Sequence, residues 1–133
     1  MYAWIVSLLL LASFSPQGTA LWHADGDVET LERAFSSGEA SQLSPLLAAT
    51  LELRILEDEN VYSKQQAAMV LETFFRQNPI KKFKVLHSSV RGGKGFFIGQ
   101  LDCRAESYRV TIMLKSAGLQ GSISCIQFLQ SGS

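Results

Sequence analysis

Several features are scarce in these 133 residues, and each scarcity closes off a class of protein. Two cysteines, Cys103 and Cys125, are too few to build a disulfide-stapled miniprotein. Neither sign of charge is in surplus. Twelve Lys and Arg balance twelve Asp and Glu, whereas a nucleic-acid binder usually carries an excess of base. No apolar run reaches the roughly twenty residues of a bilayer span. There are no internal repeats and no low-complexity segments. What is plentiful is apolar side chain: 47% hydrophobic against 18% charged is the composition of a folded chain, with sequence enough for one core.

Charge is also absent from one end. None of the ionic residues precedes Asp25, and residues 2–14 are almost wholly apolar. That run fits the apolar region of a secretory signal peptide, with Pro16 as a breaker and Gly18-Thr19-Ala20 as a small-x-small cleavage site. The basic residue that usually leads such a peptide is missing. The expectation is a signal peptide at 1–20 and one domain at 21–133, exported to the periplasm or the medium. After cleavage no membrane association is expected. An uncleaved anchor and a buried N-terminal helix are the alternatives.

Along the remaining chain the apolar period changes once. Asp27 is a candidate N-cap for a helix whose stripe is Val28, Leu31 and Phe35, ended by Ser36-Ser37-Gly38. A shorter helix is expected from Ala40 to Leu47, with Pro45 near an end or at a kink. Leu51 to Ile55 alternates as a strand, and Glu57-Asp58-Glu59-Asn60 reads as a polar loop. Ser63 and Gln66 then make a capping box for a core helix with an apolar face of Ala67, Val70, Leu71, Phe74 and Phe75, stopped by Asn78-Pro79. Beyond Pro79 the period is two. Four strands with short turns follow, with Phe83, Val85 and His87 expected on one face of the first. The order α-α-β-α-β-β-β-β is an α+β architecture: helices packed on a mostly antiparallel, curved sheet.

Leu51-Glu-Leu-Arg-Ile, Val61-Tyr62-Ser63-Lys64 and the helix to Phe75, with Lys82-Phe-Lys-Val-Leu-His87, Ile98-Gly99 and Tyr108-Arg109-Val110, resemble a family of small exported bacterial proteins. It is a domain of unknown function in the nuclear transport factor two-like, or cystatin-like, superfamily. The resemblance spans most of residues 27–129, and the Tyr62-Ser63-Lys64 and His87 segments are its most specific parts. It implies a cone-shaped α+β fold whose bent sheet wraps the long helix and leaves a pocket at the open end. It implies no activity, because the superfamily holds isomerases, dehydratases, polyketide cyclases, transport adaptors and domains without known chemistry.

The residues offer few candidates for chemistry. His87 is either a general base or ligand-binding imidazole at the cone mouth, or a neutral histidine held in the core. Tyr62 either points its hydroxyl into the pocket or staples the helix start by packing before the cap. Arg109, like Arg54, is either an anion clamp or a solvated strand arginine. These three, Tyr62, His87 and Arg109, are the candidate ligand-binding residues. Isomerases of this fold use a pocket carboxylate with a tyrosine, and dehydratases a His–Asp pair. Here Glu52 is expected on an outer strand face and Asp102 at a strand end, which fits neither pattern.

The acidic loop at 57–60 lacks the Gly and the downstream Glu of an EF-hand. His23, His87, Cys103 and Cys125 are too scattered for zinc. Arg91-Gly92-Gly93-Lys94 joins strand to strand and so reads as a hairpin turn, not a phosphate loop. Hairpin counting places Cys125 opposite about residue 110 and Cys103 opposite about residue 107, an offset that a disulfide spans with difficulty.

The expectation is therefore a non-catalytic exported domain, without metal or cofactor, binding a small apolar or amphipathic ligand or a protein partner at the cone mouth. Two alternatives stand beside it. One is an acid–base enzyme using His87 with Tyr62, and the other a homodimer built through an outer sheet face bearing Phe96, Ile98 and Met113.

Overall fold

A computed structural model describes residues 24–131, apart from Gly92 and Ala117. The signal-peptide reading of residues 1–20 and His23 lie outside the described residues. The first helix, α1, runs Ala24–Ser36, so Asp27 sits inside its first turn and not ahead of it. Gly38, at φ 70°, lets the chain leave the helix, its N–H donating to the Phe35 carbonyl. The expected second helix is cut short. It occupies only Ala40–Leu43 (α2), and a 3₁₀ turn at Ser44–Leu46 follows. Pro45 explains the change, since its ring fits the first positions of a helical turn but not an α-helix interior.

The first strand, β1, therefore starts early, at Leu47, and runs to Ile55. The segment expected as an acidic loop is a strand instead: β2, Asp58–Ser63, pairs antiparallel with β1, Ile55 facing Asp58 and Leu51 facing Tyr62. Their two-residue connection places Leu56 at φ 59°, a left-handed conformation that glycine usually supplies. Its N–H donates to the Phe128 carbonyl at 2.8 Å, and the Arg54 Nε donates to the Leu56 carbonyl at 2.8 Å. These bonds hold the tight corner.

The core helix α3, Lys64–Gln77, forms as its signals predict. Ser63 accepts from the Gln66 N–H, and the Gln66 side chain accepts from the Ser63 N–H. Ala67, Leu71, Phe74 and Phe75 are buried, with Val70 half-buried beside them. Asn78 closes the helix and accepts a hydrogen bond from the Tyr108 hydroxyl at 3.1 Å, tying α3 to the sheet.

Four further strands complete the sheet: β3 (Ile80–Arg91), β4 (Lys94–Cys103), β5 (Ser107–Leu114) and β6 (Ile123–Gln130). The spatial order is β2-β1-β6-β5-β4-β3, antiparallel throughout except for the β1–β6 pair. The α+β class thus holds, with a sixth strand added. Residues 95, 97, 99, 101 and 103 of β4 are buried while those between are half-buried, so one sheet face lies against the helices and the other does not. The core lies between that inner face and the stripes of α1 and α3.

β3 departs from strict alternation. Val85 pairs with Gly99 and His87 with Ile98, so Leu86 is an extra residue, a bulge. The bulge reverses the faces beyond it. Phe83 points inward and is buried, whereas His87 joins Ile98 on the outer face and is exposed. His87 therefore does not share the inward face of Phe83 and Val85, as strict alternation predicted.

The cysteine register also differs from hairpin counting. Cys125 pairs with Met113, because an eight-residue connection at 115–122 and a slip near Ser124 move β6 along β5. Cys103 is on the inner face and Cys125 on the outer one, and both are free. A sheet between them precludes a disulfide.

Candidate functional site

The inside of the sheet is filled by rings. Phe35 lies 4.6 Å from Phe83 between centroids, Phe74 4.6 Å from Phe128, and Phe74 5.3 Å from Tyr108. All five of these aromatics are buried, as are Phe75 and Phe97. Among the described residues, these rings pack the inner face of the sheet against α1 and α3.

Space opens where α3 parts from the β1–β2 hairpin. A concavity of about 450 Å³ is lined by Leu53 and Ile55 from β1, Asp58 and Tyr62 from β2, and Met69, Val70, Thr73, Phe74 and Gln77 from α3. Its floor is the buried pair Leu53 and Phe74, and Asp58, Thr73 and Gln77 add polar groups at its rim. Its lining is mostly apolar, with few polar groups. Tyr62 is placed there by sequence logic. It immediately precedes the Ser63 cap, whose two hydrogen bonds fix the entry angle of α3. Half-buried and packed on the core, its ring lines the concavity while its hydroxyl accepts from Asn60 Nδ2 at 3.4 Å.

A wider depression of about 950 Å³ lies between α2 and the other side of α3. Only Pro45, Met69 and Phe75 in its lining are large and apolar, and Glu39, Lys64, Glu72 and Arg76 surround them. It offers fewer anchors.

The other two candidates are elsewhere. His87 is on β3, at the opposite edge of the six-stranded sheet from Tyr62 and on its outer face. Five strand spacings of about 4.8 Å separate those edges, roughly 24 Å. The two residues do not form an acid–base pair. Arg109 is exposed on the outer face of β5, opposite Gln100 and Leu129. Of the three, only Tyr62 lines the concavity.

Apart from Asp58 and Tyr62, the titratable groups of the described residues lie away from the concavity. Glu52 is exposed on the outer face, paired with Cys125. Asp102 accepts from Gln100 and Ser107, bonds that, with Lys82 and Lys81 nearby, hold its carboxyl below the usual range. Burial, and then the acids Asp102 and Glu106, push the Cys103 thiol up. Burial, Glu52 and Glu59 do the same to Cys125. Both thiols stay protonated near neutral pH, the unreactive form. Among the described residues, no three His, Cys, Asp or Glu side chains gather as a metal set.

Most of the concavity escaped the sequence reading. Met69, Thr73 and Gln77 recur at i, i+4 and i+8, a second stripe beside the core stripe of α3 that marks a partly covered helix flank. With β2 read as a loop, nothing stood opposite that flank.

Residues 28–128 match the family described as a domain of unknown function, DUF4783. The chain belongs to the DUF4783 family. A crystal structure of a DUF4783 family protein from Bacteroides ovatus is similar at 26% identity and a TM-score of 0.73, over 78% of this chain and 94% of that one. Two more distant structures bear on the fold alone. A variant of the designed protein Rd1NTF2_05 has 13% identity and a TM-score of 0.63, over 79% of this chain and 95% of that one. A bacterial protein with a cystatin-like fold, from Silicibacter pomeroyi, has 12% identity and a TM-score of 0.57, over 79% of this chain and 73% of that one. No curated protein matches the sequence. This DUF4783 domain thus has the nuclear transport factor two-like, cystatin-like fold that the sequence resemblance implied.

Proposed function

We propose that this DUF4783 protein is a non-catalytic, exported module that binds a small apolar or amphipathic ligand in the concavity between α3 and the β1–β2 hairpin. The observation that carries this reading is the contrast within one core. Rings close the interior of the cone, while Leu53, Ile55, Val70 and Phe74 leave an apolar hollow of about 450 Å³ under Tyr62. The separation of His87 from Tyr62 and the protonated thiols favour binding over chemistry.

Octyl glucoside below its critical micelle concentration is a suitable probe, having an apolar chain and a polar head. The expected result is a saturable rise in Tm that Val70→Glu abolishes, since ligand binding to the folded state alone stabilises it. A Tm unchanged by the probe, or a rise that Val70→Glu leaves intact, sinks the small-ligand reading. Export rests on the apolar run at 2–14 and the small residues at 18–20. Secreted protein whose mass begins at Leu21 supports it, and a chain retaining Met1 inside the cell contradicts it.

A further inference from the structure

The concavity between α3 and the β1–β2 hairpin is uneven in charge. The charged residues of α3, Lys64, Glu72 and Arg76, all line the depression on its opposite flank. Those of β1, Glu52 and Arg54, alternate with the buried Leu51 and Leu53 and so lie on the outer sheet face. There Arg54 is paired with Glu59 of β2, and its Nε is already given to the Leu56 carbonyl. Asp58 is thus the one charged side chain lining the hollow among the described residues. It is exposed, and its carboxylate has no hydrogen-bond or ion-pair partner among them. The hollow also has a direction. β2 passes into α3 at Ser63, and residues from both line the hollow, so the helix runs back along the strand. Asp58 stands five residues before that junction, about 16 Å along a strand. Thr73 stands ten residues beyond it, about 15 Å along a helix. The two are therefore level, with Gln77 one turn further on. Tyr62, Met69 and Val70 lie nearer the junction, and the buried Leu53 and Phe74 form the floor.

We infer, resting on the small-ligand reading, that the occupant of this hollow is an apolar amine, bound as its ammonium ion with the cationic head at Asp58 and the apolar body toward Tyr62. Charge complementarity selects the sign of the head. A carboxylate or sulfate head would meet Asp58 as a like charge, with no cation in the lining to offset it. The donor and acceptor pattern selects the amine. A primary ammonium carries three donors and no acceptor. The Asp58 carboxylate, the Thr73 hydroxyl and the Gln77 amide oxygen are three groups able to accept them at one end of the hollow. The apolar body then covers Leu53, Ile55 and Val70, and its removal from water supplies most of the affinity. The ion pair at the exposed rim sets the preference among head groups.

Titration calorimetry of the protein with octylammonium chloride, octyl glucoside and sodium octyl sulfate, each below its critical micelle concentration, tests the assignment. The three share a tail and differ in the head. The expected order of affinity is octylammonium, then octyl glucoside, then octyl sulfate. Octylammonium should bind about fivefold more tightly than octyl glucoside, the upper range for an exposed ion pair. Added salt should narrow that gap, because exposed charges are screened. Asp58→Asn should bring the ratio of the two dissociation constants close to one. Glu72→Gln removes the same charge from the other flank of α3 and should leave the ratio as it was. If none of the three binds saturably, the hollow is not a ligand site and the small-ligand reading falls together with the amine. If octyl glucoside binds but octylammonium binds no more tightly, or if the preference survives Asp58→Asn, the amine assignment alone is overturned.

Discussion

The two hairpins at the ends of the sheet begin from similar material and finish differently. At the β3–β4 end, Phe83 lies directly over Gly99. A Cβ there would stand 2.6 Å from Phe83 Cε1 and 2.9 Å from the Lys84 carbonyl oxygen. The outer edge of the same hairpin is closed by α1: Ser36 Oγ accepts from the Phe83 N–H at 3.0 Å, and Glu32 Oε2 from the Val85 N–H at 2.9 Å. Side chains of a helix thus complete an edge that would otherwise present free donors. At the β1–β2 end, no comparable ring fills the gap to α3, and the hollow under Tyr62 remains. The proposed ligand site lies where helix and sheet part company, and the same fold can hold one end shut and leave the other open.

The largest effect expected is from emptying the closed core. Phe35→Ala removes a fully buried ring that touches the rings of Phe75, Phe83 and Phe128, and should cost about 3–5 kcal/mol in chemical denaturation. Gly99→Ala should cost about 1–3 kcal/mol by overpacking against Phe83, yet leave octyl glucoside binding unchanged. Loss of binding in a folded Gly99→Ala protein would show that the two ends are not independent. Glu32→Ala should cost about 1 kcal/mol through the unpaired Val85 N–H, while Glu32→Gln, whose amide oxygen still accepts, should cost less. Equal losses would remove the edge-capping account.

Two smaller effects sharpen the contrast. Leu56→Gly should stabilise the open hairpin by up to about 1 kcal/mol, because glycine relieves the left-handed strain at a residue 39% exposed. At the closed hairpin, the hydrogen bonds from Gln100 and Ser107 hold the Asp102 carboxyl below its usual value. A lowered carboxylate contributes stability above its unfolded pKa of about 3.9 and loses it as pH falls through the folded value. Asp102→Asn should therefore differ from the parent in stability above about pH 4, the gap closing as the solution is acidified further. Thermal unfolding across that range measures it.

These contrasts also set how much was legible beforehand. α3 was readable from its cap to its stop because Ser63, Gln66 and the apolar stripe are local signals that agree with burial. β5 was readable because Tyr108, Val110, Ile112 and Leu114 alternate without interruption. β2 was not, since an exposed edge strand needs no apolar face and Asp58-Glu59-Asn60 carries the composition of a loop. The bulge at Leu86 was invisible for a different reason. It is a property of the pairing with β4 and not of β3 alone, and one inserted residue was enough to turn His87 from the inside to the outside. The candidate site suffered from both. Tyr62 was found through the helix cap, while its companions on β1 and α3 are brought to it by a hairpin that the sequence pattern did not reveal.

The most direct test of the open-end account is an NMR titration of ¹⁵N-labelled protein, residues 21–133, with octyl glucoside below its critical micelle concentration. The account predicts saturable shift changes confined to the backbone around Leu53, Ile55, Tyr62, Val70 and Phe74, with His87, Gly99 and Arg109 unmoved. Changes centred on the β3–β4 hairpin, or none that saturate, would contradict it.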